Sequence, residues 1–111
     1  MYLIMSEEYK KASQSEREKA FNGCGLDNDI IPDSILGVDI TQACQIHDWD
    51  YVQGKTEKDR RIADLNFLKN LKTLITAKSS ILNFLRLAIA GIYFAAVRAF
   101  GSPVFFDKAT T

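Results

Sequence analysis

Ala43-Cys44-Gln45-Ile46-His47-Asp48-Trp49-Asp50-Tyr51 is the stretch from which this chain is read. On a 3.6-residue period Cys44, His47 and Tyr51 share one helix face and Asp48 lies beside it, so an imidazole, a carboxylate and a phenol converge. The pattern predicts a helix starting near Val38, with Ser34 or Asp39 as its cap, and running to about Gln53. Gly54 would then supply the left-handed residue that ends it. The expected buried side is Ile40, Ala43, Cys44, His47 and Tyr51.

Downstream, Thr56 with Asp59 three residues later resembles a capping box and opens a helix to about Ala77. Its apolar stripe is Ile62, Leu65, Phe67, Leu68, Leu71, Leu74 and Ile75. Asp64 falls on that stripe, with Leu68, Leu71 and Ile75 following at four, seven and eleven residues, so its carboxylate points at the core and needs a partner to stay charged. His47, the chain's single histidine, is the expected partner. The short turn around Gly54-Lys55-Thr56 should pack the two helices antiparallel. His47 and Asp64 are then about 10 and 15 Å from the turn at about 1.5 Å rise per residue, close enough in height to meet. Tyr51, one turn nearer the bend, is placed to donate its hydroxyl to Asp64.

Outward from this pair the signals are weaker. Residues 6–20 are polar and helix-favouring, anchored by Tyr9, Ala12, Ala20 and Phe21, and read as one short surface helix. Residues 22–37 carry four Gly or Pro among Asp and Asn, and read as a structured loop. Ser79 or Ser80 would cap a third helix over 81–100, closed by Gly101 and Pro103. Residues 87–97 are uncharged, but a membrane span needs about 20 such residues, so a buried core helix is expected. No strand shows clear alternation. The fold class is mainly α, as one domain over 1–111: an N-terminal helix in 1–20, a loop over 21–37, a helix pair over 38–77 and a C-terminal helix over 80–101.

The 111 residues, 47% hydrophobic and 25% charged, suffice for one core and one site. Net charge is zero but unevenly spread: residues 21–50 hold six acids and no Lys or Arg, whereas 55–108 hold ten bases and four acids. That basic part suits an anionic surface such as phospholipid head groups, or equally a solvated helix face. Zero net charge and the acidic block argue against nucleic-acid binding. Cys24 and Cys44 either form one bridge or sit reduced in a core, and one histidine rules out a Cys/His metal cluster. Residues 1–5 are too short an apolar run for a leader, and Glu7-Glu8 follows without a cleavage pattern, so export has no support in the sequence.

A neutral imidazole takes a proton from water when its other nitrogen is held by an acceptor that fixes the tautomer, and Asp64 is the acceptor at hand. A buried His–Asp pair also occurs simply as a core element. Three features favour chemistry: Asp48 beside His47, the Gly23-Cys24-Gly25-Leu26-Asp27 loop with carbonyls to turn inward, and the acidic surroundings. Carboxylates, backbone carbonyls and water together suit Ca²⁺.

These residues resemble the secreted phospholipases A2. Cys44, His47, Asp48 and Tyr51 match that family's active-site helix, and Gly23-Cys24-Gly25-Leu26 is similar to its calcium loop. Ile62-Ala63-Asp64 with Phe67 resembles the second helix of the compact phospholipase domains of parvovirus capsids and phage-encoded relatives. The resemblance covers about residues 21–70. It implies that His47 activates a water against the sn-2 ester at a phospholipid membrane surface, and that Asp64, supported by Tyr51, orients the imidazole. It further implies that Asp48 and the carbonyls of Gly23, Gly25 and Asp27 hold Ca²⁺, that the Gly25 amide faces the oxyanion, and that Cys24 pairs with Cys44. The chain departs in having no room for a β-wing between His47 and Asp64, and in placing Asp27 where the last loop glycine stands. Trp49 lies where the family varies and either contacts lipid or packs on the amino-terminal segment, of which packing is the expectation. The other function kept open is a catalytically silent phospholipase-like module of a phage or virion that binds lipid or protein.

Overall fold

Helix α3, Thr41–Gln53, carries the quoted stretch, and a short turn doubles the chain back into α4, Glu57–Thr76. The computed structural model describes residues 2–20 and 34–109. Around the helix pair stand α1 (Glu7–Lys11), α2 (Gln14–Ala20), a hairpin of β1 (Ser34–Ile35) and β2 (Val38–Asp39), and α5 (Asn83–Ala109). The mainly α class holds.

The α3 start differs from expectation. Val38 belongs to β2, where Ile35 pairs with Val38 and Ser34 with Asp39 across an antiparallel turn. That turn is Leu36-Gly37, both at positive φ (46° and 85°), the two-residue geometry whose twist matches a hairpin. Leucine in place of Asn or Asp hid the turn. Ile40 is the N-cap of α3 without a side-chain bond, while Asp39 Oδ1 accepts the Thr41 amide at 2.8 Å. Gly54 ends α3 in extended conformation (φ −76°, ψ 157°), not left-handed, so that the chain leaves directly for the next cap.

At α4 the capping box is present: Asp59 N–H donates to Thr56 Oγ1 at 3.1 Å, and the Asp59 carboxylate accepts the Thr56 and Lys55 amides. Reciprocal satisfaction of helix-start donors is what makes such a start persist. Phe67, Leu71 and Ile75 face the core as expected, but Ile62 and Leu65 are exposed because they flank the side that meets α3 and α5. The main core joins Ile35, Ile40, Ala43 and Cys44 to Phe67, Leu71, Ile75, Ala90 and Val97.

The single N-terminal helix is in fact two. Ala12 is extended and Ser13 restarts the chain, exchanging bonds with Glu16 in both directions at 3.1 Å. Arg17 pins the break by donating to the Tyr9 and Lys10 carbonyls and stacking over the Tyr9 ring. Asn70 of α4 holds the segment before α1 by bonding both the amide and the carbonyl of Ile4, at 2.6 and 3.0 Å. Trp49 packs here as expected, edge-on to Tyr9 at 5.7 Å.

The third helix begins later and runs further than expected. It passes through Gly101 and Pro103 to Ala109. Gly101 serves not as a stop but as a point of close approach: a β-carbon there would collide with the Tyr51 hydroxyl. The expectation of a buried core helix also fails. Of the apolar stretch Asn83–Ser102, only 17% is buried.

Candidate functional site

Asp64 is the centre of the site, with 0% exposure. Helical periodicity puts it on the α4 side that meets α3, where two donors one turn apart converge on one oxygen. His47 Nε2 lies 2.7 Å from Asp64 Oδ1, and the Tyr51 hydroxyl donates to that same oxygen at 2.6 Å. The imidazole is sandwiched between the rings of Tyr51 and Phe67, with centroids at 4.3 and 4.6 Å. A carboxylate accepts only, so Nε2 donates to it, and whenever the ring is neutral Nδ1 carries the lone pair. The ring is thus fixed in position, tilt and tautomer.

The other carboxylate oxygen has partners that the sequence reading missed. Arg98 of α5 donates to Asp64 Oδ2 at 2.9 Å, and Arg60 of α4 does so at 3.4 Å. Both arginines also reach Glu57, Arg60 at 2.9 and 3.0 Å and Arg98 at 3.1 Å. Two carboxylates and two guanidinium groups therefore balance, which is what lets charged groups stay buried. Arg60 further donates to the Val97 and Arg98 carbonyls, tying α4 to α5. Arg60 was legible as the residue four before Asp64 on the same helix. Arg98, 34 residues away, gave no local signal.

Electrostatics follow this geometry. Burial pushes the Asp64 carboxyl up, but the His47 hydrogen bond and charge, joined by bonds from Tyr51 and Arg98, outweigh it and leave the group below the ordinary carboxylate range. Tyr51 is raised above the ordinary phenol range, first by burial and then by its bond to Asp64, so it remains a donor. Asp50, three residues after His47 on α3, is pushed up to about 6 by burial, against the pull of His47. It borders a cleft of about 510 Å³ walled also by Ile4, Met5, Asp59, Ile62 and Asn66; His47 is not among its walls.

Of the other predicted site residues, Asp48 is buried on α3 in the position beside His47. Gly23, Gly25 and Asp27, the expected calcium-loop residues, lie outside the described residues, as does Cys24; Cys44 is buried in the main core. Among the described residues no cluster of three His, Cys, Asp or Glu side chains is arranged around a common point. The described part of the site can orient an imidazole, hold its proton on Nε2 and keep a buried carboxylate ionised. Comparison of the chain with protein-family models, curated proteins and solved structures finds no match in any of the three, so a functional reading rests on the side-chain geometry and the sequence motifs.

Proposed function

We propose that the chain is a calcium-dependent phospholipase A2-type hydrolase acting on the sn-2 ester of glycerophospholipids at a membrane surface. The observation that carries this is the His47 Nε2 to Asp64 Oδ1 contact of 2.7 Å, reinforced by Tyr51 at 2.6 Å, which leaves Nδ1 as the basic nitrogen. In that role His47 Nδ1 takes a proton from water as the oxygen attacks the ester carbonyl, and returns it to the leaving alkoxide. Asp64 holds the ring and stabilises the imidazolium that forms. Tyr51 and Arg98, bonded to the two oxygens of Asp64, keep that carboxylate from turning away.

The donor set fits a calcium ion by its chemistry. Asp48 gives a hard carboxylate oxygen next to the base, and the carbonyls of Gly23, Gly25 and Asp27 would complete an all-oxygen shell of the kind Ca²⁺ takes. When bound, the ion supplies charge to polarise the ester carbonyl and stabilise its oxyanion. The Gly25 amide would serve the same oxyanion.

The test is fatty-acid release from mixed phospholipid vesicles with calcium and with chelator. Release is expected only with calcium, and His47→Gln should lower it by about 10²–10⁴, the range for loss of a general base. Background release by the wild type in both conditions would sink the enzyme reading. A second reading is favoured by one observation: the two arginines on Asp64 Oδ2 make the carboxylate the hub of an ion network between helices. On that reading the chain is a catalytically silent phospholipase-like module of a phage or virion. His47→Gln then lowers stability while no variant, the wild type included, releases fatty acid.

A further inference from the structure

Helix α5 has two unlike sides. One packs on α4 through Ala90 and Val97 and carries Arg98 to Asp64 and Glu57. The other is bare: Phe84, Leu85 and Ile92, within about 100° of one another round the helix, are 68%, 44% and 65% exposed. Ala88 and Ala95 between them are exposed too, and residues 87–97 include no charged side chain. Water-facing sides of helices in soluble domains are ordinarily polar, and a continuous apolar one marks a surface that something else covers.

We propose that this face of α5 is the membrane-docking surface, lying in the plane of an anionic bilayer with Phe84, Leu85 and Ile92 in the acyl boundary. The inference deepens the phospholipid reading above and rests on it for its choice of occupant. Two observations favour a bilayer. Asn83–Ser102 has the length and apolar composition that a hydrocarbon environment accepts. Cations also rim the face. Arg60 and Leu71 look toward α5, and the residues one position on, Arg61 and Lys72, are exposed about 100° further round α4, along the flank of α5. Lys78, also exposed, stands just before the helix begins. Apolar side chains bordered by lysine and arginine are the composition that binds anionic lipid in the interface.

The same contacts decide between lying flat and spanning. To cross the bilayer α5 would have to leave α4, breaking Arg98 from Asp64 and Glu57 and stranding buried charge. Docked flat, it keeps them. The helix that meets the lipid is then also the one that bonds the carboxylate behind His47.

The experiment is co-sedimentation of the full chain, in chelator so that no hydrolysis intervenes, with vesicles of phosphatidylcholine alone and of phosphatidylcholine mixed with phosphatidylglycerol. The wild type is expected to pellet with the mixed vesicles. Phe84→Glu with Ile92→Glu should weaken that binding at least about tenfold while the helical circular dichroism is kept. Arg61→Glu with Lys72→Glu should weaken binding to the mixed vesicles and leave the neutral ones unchanged. Wild type that stays in the supernatant, or a double-glutamate chain that pellets as the wild type does, overturns the proposal. So does a dimer in sedimentation velocity that the double-glutamate chain dissolves without vesicle binding, which would give the face to a second copy. Vesicle binding with no fatty-acid release in calcium would sink the hydrolase and leave the docking surface. Release from a soluble short-chain phospholipid without vesicle binding would do the reverse.

Discussion

Asp64 and Asp50 are both partly or wholly withdrawn from water, yet they are driven in opposite directions. Asp64 is ringed by donors, so its lowered pKa adds stability above the ordinary aspartate value that is lost as pH falls through the folded value. Asp50 has burial and little compensation, so its carboxyl moves from 3.8 to about 6. Its sign is reversed: the folded state favours the protonated form, and stability is surrendered as pH rises from 3.8 to about 6, then stays lower. Two units would be about 3 kcal/mol, and the partial exposure of Asp50 reduces that to about 2 kcal/mol. Asp50→Asn should therefore match the wild type below pH 3.8 and exceed it by about 2 kcal/mol above pH 6, read from urea unfolding at a series of pH values. A constant difference across that range would show that Asp50 is not held in an apolar setting. The sequence made Asp64 legible because a carboxylate on an apolar stripe demands a partner. Asp50 was opaque, since what withdraws it from water is the amino-terminal segment folding back, a contact no local pattern encodes.

Between elements, the α3–α4 pair was readable from spacing: the turn around Gly54 and the offsets of seven and ten residues fix the heights of His47 and Asp64. The hairpin and the length of α5 were not. Leu36 occupies a positive-φ position that leucine rarely takes, and Gly101 carries the mark of a helix end while serving a different purpose. That purpose gives a test of how α5 sits on the site. Alanine in place of a solvent-facing helical glycine ordinarily gains up to about 1 kcal/mol. At Gly101 the added methyl meets the Tyr51 hydroxyl, with Arg60 close behind, and overpacking of this kind costs about 1–3 kcal/mol. Gly101→Ala is thus expected to destabilise, and the penalty should shrink by at least about half in a Tyr51→Phe background, where the colliding oxygen is gone. Chemical denaturation of the four chains in this cycle measures the coupling directly. Equal penalties in both backgrounds would mean that α5 does not bring Gly101 against the tyrosine that braces Asp64.

At the scale of the whole molecule the charges are sorted: acids crowd residues 21–50, ahead of and within α3, and bases dominate from Lys55 onward, although the sum is zero. Like charges held close in space repel, and relieving that repulsion needs bound charge of opposite sign. The network around Asp64 is self-balanced by Arg60 and Arg98 and contributes nothing to that need. The proposed calcium ion at Asp48 and the preceding loop would meet it, and by binding the folded chain alone would stabilise the whole fold by mass action. At a free concentration about a hundred times the dissociation constant the gain is about 2.7 kcal/mol, a rise of about 10 °C in Tm for a chain of this size. Calorimetry of the full chain in calcium against chelator should show that rise, independently of any hydrolysis. Magnesium should give less, since it demands a tight octahedron and holds its water. Asp48→Asn should abolish the calcium shift, whereas Glu18→Gln, on the exposed side of α2, should leave it whole. Identical melting in calcium and chelator would remove the ion, and with it the oxyanion stabilisation on which the proposed ester hydrolysis at His47 would depend.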